Sequence, residues 1–193
     1  MLTFYFSPGS SSMAVHIALR EVGAAFEAKL VSVKRNETRS PEFLKINPAG
    51  KVPTLVIDGR PLVEVAGILF YLARRFPEAN LLPHGDIEAE ARVVSWMSFI
   101  ASTLHPARQR GMDHAREVWS LADQLLGTGW VLGERYSIAD IHLFRVYWRI
   151  LPSLEPKPGA LPNLDALYKR MMARPAVQRT IEAETAEGYD LPA

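Results

Sequence analysis

Three consecutive hydroxyls, Ser10-Ser11-Ser12, stand where a short apolar strand passes into a helix. The strand reads Leu2-Thr3-Phe4-Tyr5-Phe6, the turn Ser7-Pro8-Gly9, and the helix opens with Met13-Ala14-Val15-His16-Ile17-Ala18-Leu19. The first N–H groups of a helix lack intrahelical partners and carry partial positive charge, so this position favours an anion. A hydroxyl there can donate to a sulfur anion while the helix dipole lowers the pKa of the bound thiol. The chemistry implied is activation of a thiol that a ligand supplies, rather than covalent attack by serine. Each serine is equally a good helix cap, and residue type alone does not single one out.

Further along, Lys51-Val52-Pro53-Thr54-Leu55 places a proline at the start of a strand, where it interrupts no ladder. A cis peptide at Val52–Pro53 would turn the backbone N–H and C=O of Val52 outward, ready to pair with a peptide-like ligand, but the residues alone do not indicate one. Glu64 ends a strand and precedes the helix Val65-Ala66-Gly67-Ile68. Its carboxylate can receive a ligand ammonium, and the N–H groups of Val65 and Ala66 a ligand carboxylate; alternatively it complements the helix dipole. His105, before Pro106, suits either a helix C-terminus or donation to a ligand sulfur. His16, His84, His114 and His142 show no metal-ligand spacing. Trp119, Trp130, Tyr147 and Trp148 read mostly as core, with some lining an apolar pocket.

The elements that must position these groups are legible in the patterning. Residues 1 to about 80 alternate strand and helix: strands at Leu2–Phe6 and Phe26–Val33 flank a helix over Met13–Val22. Ser40-Pro41-Glu42-Phe43 has the form of a capped helix start. Thr54–Ile57 and Pro61–Val63 flank the tight connection Asp58-Gly59-Arg60, and Val65–Phe76 returns to helical spacing. This order predicts one mixed sheet with helices packed on it. Pro77, Asn80, Pro83 and Gly85 mark a connection, dividing the chain into residues 1–78, a linker over 79–86, and an all-helical domain over 87–193. In that domain Val93, Trp96, Met97, Ile100 and Leu104 form one apolar stripe, and a second helix spans about Asp113–Leu126. A third starts at Ser137-Ile138-Ala139-Asp140, a variant capping box. The segment Pro152–Pro162 links to two final helices broken near Pro175.

Bulk composition removes several classes of function. At 193 residues, 48% hydrophobic and 22% charged, the chain is an ordinary globular sequence. A net charge of +1 supplies no field to draw nucleic acid or an anionic membrane. With no cysteine, disulfides, thiolate metal sites and a protein thiol nucleophile are excluded, and no metal site is expected. Neither a signal peptide nor an apolar run of membrane-spanning length is apparent, so the expected location is the cytoplasm.

Taken together, Tyr5-Phe6-Ser7-Pro8-Gly9-Ser10-Ser11-Ser12, His16-Ile17-Ala18-Leu19-Arg20-Glu21, Asn47-Pro48-Ala49-Gly50-Lys51-Val52-Pro53 and Ser137-Ile138-Ala139-Asp140 resemble the cytosolic glutathione transferases, most closely the bacterial beta class. Phe99-Ile100-Ala101-Ser102-Thr103-Leu104-His105 extends the match, which covers nearly the whole chain. The resemblance implies an α/β thioredoxin-like N-terminal domain, an all-α C-terminal domain carrying a hydrophobic acceptor site, and a homodimer. Glutathione is the implied co-substrate, with no permanently bound cofactor; the other implied partner is a small hydrophobic electrophile. Position by position, Tyr5, Val52, Pro53, Glu64 and Val65 are the implied glutathione-binding set. Val52 bonds the cysteinyl backbone, Pro53 is the cis-proline, and Glu64 with Val65 holds the γ-glutamyl end. Ser11, with Ser10 and His105, is the implied catalytic set, and Asp140 supports the fold.

Three positions depart from the family pattern: Ser11 stands where beta-class enzymes carry cysteine, Val65 where serine is usual, and Ser98 where asparagine is frequent. A serine cannot form a mixed disulfide, so the implied chemistry is conjugation, addition or peroxide reduction through glutathione's own thiolate. The same departures motivate an alternative, a binding protein on this fold that has lost catalysis. The serine cluster motivates another, a zeta-like glutathione-dependent isomerase, although the cysteine and arginine expected after such a cluster are missing.

Overall fold

The computed structural model of the chain describes residues 1–189. These fall into two compact units, residues 1–75 together with the segment from Pro175 onward, and Phe76–Arg174. The first unit holds a four-stranded sheet of β1 (Leu2–Phe6), β2 (Glu27–Leu30), β3 (Thr54–Ile57) and β4 (Arg60–Val63), with α1 (Ser12–Glu21), α2 (Pro41–Ile46), α3 (Val65–Arg75) and α8 (Pro175–Glu187). The strand order is β2-β1-β3-β4. β1 runs parallel to β2 and antiparallel to β3, which pairs antiparallel with β4. This is the mixed sheet that the sequence predicts.

Strand alternation divides the side chains of β1 between two faces. Phe4 and Phe6 are buried beside His16 of α1, with ring centroids 5.5 and 5.3 Å away. Tyr5, on the other face, lies 5.7 Å from the ring of Phe43 in α2. Helix α2 starts as its sequence dictates: Ser40 caps it by accepting from the Phe43 N–H at 3.2 Å, with Pro41 in the first turn. β2 is shorter than the expected Phe26–Val33. Val31 N–H still reaches the Phe6 carbonyl at 2.8 Å, but Ser32 N–H turns to the Glu37 carboxylate at 2.8 Å and the ladder ends.

The last helix departs from a linear division of the chain. α8 packs on α1, so it joins the first unit rather than the helical one that the sequence reading extends to 193. Ala176, Val177, Thr180 and Glu184 on its inner face are all buried.

The second unit consists of α4 (Ile87–Phe99), α5 (Met112–Leu126), α6 (Ile138–Leu154) and α7 (Pro162–Met172). Of the predicted stripe Val93, Met97, Ile100 and Leu104 are buried and Trp96 only half-buried, and the helix does not run through it as a uniform α-helix. Ile100–Leu104 form a π-helical turn, and His105 N–H bonds the Ile100 carbonyl at 2.9 Å. Such one-residue insertions change the helical repeat, which apolar spacing does not reveal. α6 is buried on nearly every side, as a central helix must be. It continues through Pro152, which the sequence reading assigns to a linker, to the fully buried Leu154, and ends at Glu155 in the left-handed region with φ 45°. Trp119 and Tyr147 are fully buried, 5.4 Å apart, whereas Trp130 packs on Tyr136 at 4.9 Å. Among the described residues no helix is long and apolar enough to cross a membrane.

Two buried aspartates organise this unit. Asp140 completes the expected capping box, accepting from Ser137 N–H at 2.8 Å and Ser137 Oγ at 2.9 Å, and also takes Val131 N–H at 2.7 Å. Burial pushes its carboxyl up to about 6, against the Val131 and Ser137 hydrogen bonds that favour the charged form. α7 has no side-chain cap of its own at Leu161; Asp123 of α5 accepts instead from the N–H groups of Asn163 and Leu164 at 2.9 and 2.8 Å. Removing either acceptor strands buried donors. Asp140→Ala and Asp123→Ala are therefore expected to destabilise the protein by roughly 2–4 kcal/mol each. In thermal melts this is a fall of about 5–10 °C, against little change for an exposed control such as Asp113→Ala.

Candidate functional site

The antiparallel registers bring three separate stretches of chain to one end of the sheet. Tyr5, near the end of β1, faces Thr54, the first residue of β3, and Thr54 faces Val63, the last residue of β4. The segment that leaves β1 (Ser7–Ser12), the segment that enters β3 (Lys51–Pro53) and the segment that leaves β4 (Glu64-Val65) therefore converge.

In the first segment the three serines have different tasks. Ser12 Oγ accepts from Ser7 N–H at 3.2 Å and donates to Ser7 C=O at 3.0 Å, closing the loop on itself. Ser10 Oγ accepts from Ser12 N–H at 3.2 Å and lies 2.7 Å from Ser12 Oγ. Both residues are buried. Ser11 occupies the N-cap position of α1 yet makes no side-chain cap bond; half-buried, it donates to the Val52 carbonyl at 3.2 Å. The capping role open to any of the three from sequence is thus not the one Ser11 performs. Gly9, at φ 67°, makes the turn in a conformation that strains other residues.

The second segment is held from behind. Asn47 Nδ2 donates to Lys51 C=O at 2.8 Å and to Thr54 Oγ1 at 3.0 Å, and Thr54 Oγ1 donates to the same carbonyl at 3.1 Å. Asn47 and Thr54 are both buried. Gly50 has φ 59°, and a Cβ there would lie 2.8 Å from the Thr38 carbonyl oxygen, so the loop closes only around glycine. The Val52–Pro53 peptide is cis, as the family resemblance implies.

In the third segment Glu64 is exposed and sits at φ 66°, a left-handed conformation costing a non-glycine residue on the order of 1–3 kcal/mol. A single residue makes the connection from β4 to α3, and only this sharp bend turns the strand into the helix. The bend leaves the Glu64 side chain outward and the first N–H groups of α3 at the sheet end. Val65 is buried, its isopropyl group where a serine would offer a hydroxyl.

The Tyr5 side chain turns away from this constellation. Tyr5 lines a recess of about 330 Å³ with Leu30, Val31, Ser40 and Phe43, and the Lys29 ammonium lies 5.8 Å from its ring. His105 belongs to the second unit, following the π-helical turn; desolvation and then the Arg145 charge lower its pKa, leaving the ring neutral near pH 7. His142, on α6, is fully desolvated, and its pKa falls to about 3 through burial first and the charges of Arg145 and His105 second.

Two further residues stand behind the first loop, and neither is marked as functional by sequence. Glu184, fully buried on α8, accepts from Gly9 N–H through Oε2 at 2.7 Å and pairs through Oε1 with His16 Nδ1 at 2.9 Å. His16 Nε2 in turn lies 3.2 Å from Arg20 Nη2. The available signal was a carboxylate at helical spacing with Val177 and Thr180, on the face of α8 that should be apolar. Among the described residues no cluster of side chains is suited to holding a metal ion.

Comparison with known proteins identifies the family to which this fold belongs. Residues 1–74 match the family model "Glutathione S-transferase, N-terminal domain" and residues 92–175 the model "Glutathione S-transferase, C-terminal domain". Glutathione S-transferase GST-4.5 of Xanthomonas campestris pv. campestris is 32% identical, over 95% of this chain and 98% of its own. The structure superposes on a beta-class glutathione S-transferase of Sphingomonas chungbukensis with a TM-score of 0.81 and 35% identity, covering 94% of this chain and 98% of that one. A sphingomonad glutathione S-transferase complexed with glutathione gives a TM-score of 0.83 and 33% identity, over 95% and 98% of the two chains. With both domain models matched, a full-length relative and a shared fold, the chain belongs to the glutathione S-transferase family, with its α/β thioredoxin-like N-terminal domain and its helical C-terminal domain.

Proposed function

We propose that this protein binds glutathione at the converging loops of its first unit and uses the bound thiolate to attack small hydrophobic electrophiles. The observation that carries the reading is the Ser11 hydroxyl, half-buried at the start of α1 and within hydrogen-bond distance of the Val52 carbonyl. A cysteinyl residue paired with the backbone of Val52 would bring its sulfur to that hydroxyl. Rotation of the Ser11 Oγ then exchanges a carbonyl acceptor for a thiolate, with the helix dipole stabilising the charge. Thiolate formation lowers the barrier to nucleophilic attack, and holding both reactants together supplies the remaining rate. Glu64 receives the glutamyl ammonium and the first turn of α3 its carboxylate, in this reading. Ser10, its hydroxyl already engaged with Ser12, acts through the loop. Tyr5 supports the site through Phe43 rather than through direct contact with sulfur.

Because the protein has no cysteine, disulfide exchange through a protein thiol is not part of its chemistry; conjugation, addition or peroxide reduction is. We further propose a homodimer, supported by the family and by side chains such as Phe70 on α3, 43% exposed and large for a free surface. Sedimentation velocity should report a dimer.

Calorimetric titration with reduced glutathione is expected to give micromolar to low-millimolar binding. No heat and no thermal stabilisation by glutathione would turn the reading toward a protein that has lost the reaction on this fold. Ser11→Ala should lower kcat/KM with a model aryl halide by about tenfold to a hundredfold, the value of a hydrogen bond to a charged group. Unchanged turnover would move the thiolate contact to another residue. Val65→Ser should tighten glutathione binding by about tenfold or more, since it restores a hydroxyl at the glutamyl carboxylate; equal affinity would show that the backbone N–H groups suffice.

A further inference from the structure

We propose that Glu184, on the last helix, is a positioning residue for the thiolate-binding loop, acting through the Gly9 N–H and balanced by an Arg20–His16 relay. This rests on the reading of Ser11 as the thiolate contact.

A fully buried carboxylate is costly unless its oxygens are satisfied by donors. Glu184 meets that condition with two donors of different kinds: Gly9 N–H on Oε2 at 2.7 Å and His16 on Oε1 at 2.9 Å. The tautomer follows from the third member. A guanidinium only donates, so Arg20 Nη2, 3.2 Å from His16 Nε2, makes that nitrogen the acceptor and leaves the proton on Nδ1, directed at Glu184. The relay runs from Arg20 through neutral His16 to the carboxylate, and from the carboxylate to the loop.

What the carboxylate holds is the turn that presents Ser11. Inside the loop, the hydroxyls of Ser10 and Ser12 bind the loop to itself. The bond from Gly9 to Glu184 ties that closed loop to the body of the unit, two residues before Ser11 and 175 residues away along the chain. A negative charge this close to a thiolate site would by itself oppose thiolate formation. The guanidinium of Arg20 behind His16, with the Arg179 charge near it, opposes this effect. A purely structural buried pair would join α8 to α1 alone; here one of the two oxygens is given to the loop.

Glu184→Gln tests this, since an amide has one acceptor oxygen for the two donors that face it, at almost unchanged volume. The readouts are the ultraviolet thiolate absorbance of bound glutathione against pH, and kcat and KM for glutathione, taken well below the melting temperature. Loss of the carboxylate charge alone would lower the thiol midpoint, because Arg20 is then unbalanced; the expected result is the opposite, an upward shift that cuts the thiolate fraction below it by about threefold or more, the mark of a displaced loop. With it, kcat/KM should fall by about threefold to tenfold, mainly in kcat. A lower melting temperature with thiol titration and kcat/KM within about twofold of the unsubstituted protein would overturn the proposal and leave Glu184 a structural residue. Ser11→Ala, measured alongside, separates the two claims: if it leaves the thiol midpoint in place the Ser11 reading fails, whereas a shift there with none in Glu184→Gln defeats only the positioning role. Should Glu184→Gln not fold, the unsubstituted protein decides. Its Gly9 amide proton should resonate far downfield and exchange slowly, and a fast-exchanging amide at an ordinary shift would overturn the proposal.

Discussion

The pairing of β1 with β3 is the constraint on which the rest of the site depends. Because the two strands are antiparallel with Tyr5 opposite Thr54, the exit of the first strand and the entrance of the third must lie at the same end of the sheet. β4 then returns to that end, with Val63 opposite Thr54. A one-residue slip would turn Phe4 and Phe6 out of the core, so the hydrophobic alternation that buries them also fixes where Ser11 meets Val52. Site geometry here is a by-product of core geometry.

Given that meeting point, the chain spends most of its local polar groups on holding the loops still. Two of three adjacent serines are consumed inside their own turn, and Asn47 with Thr54 fixes the carbonyl before Val52. Bends that ordinary residues resist are placed at the same end: Gly9 and Gly50 at positive φ where glycine is at ease, Glu64 at positive φ where it is not. A rigid frame with few uncommitted groups is what a site needs when its ligand brings the reactive atom and the protein must only receive it.

What could be read from the sequence follows how local its physical cause is. The Ser40 cap, the Ser137–Asp140 box, the Asp58-Gly59 hairpin and the strand positions of β1 and β3 depend on residues a few places apart, and each lies where its pattern puts it. The order of motifs was enough to indicate the family and the converging segments. Local patterns did not reveal that α8 belongs to the first unit, that Asp123 of α5 caps α7, or that Glu184 reaches Gly9, because the partners lie about 40 to 175 residues apart. The three serines were equivalent by type; burial and partners distinguished them. The π-helical turn before His105 escaped for another reason, since an extra residue in one turn leaves the apolar stripe nearly intact.

The packing of α8 on α1 has a consequence for how the protein is made. At a synthesis rate of about 5–20 residues per second, the ribosome adds Glu184 roughly 9–35 s after Gly9. During that interval the sheet and α1 can assemble, but the turn that carries Ser11 has no acid to bind and His16 has no carboxylate to face. The nascent first unit therefore waits, incompletely tied, for α8, the last helix among the described residues. Without that helix the Gly9 N–H has lost its carboxylate acceptor and α1 the face it packs on. The anchored loop thus depends on a helix made long after the strand and turn it completes.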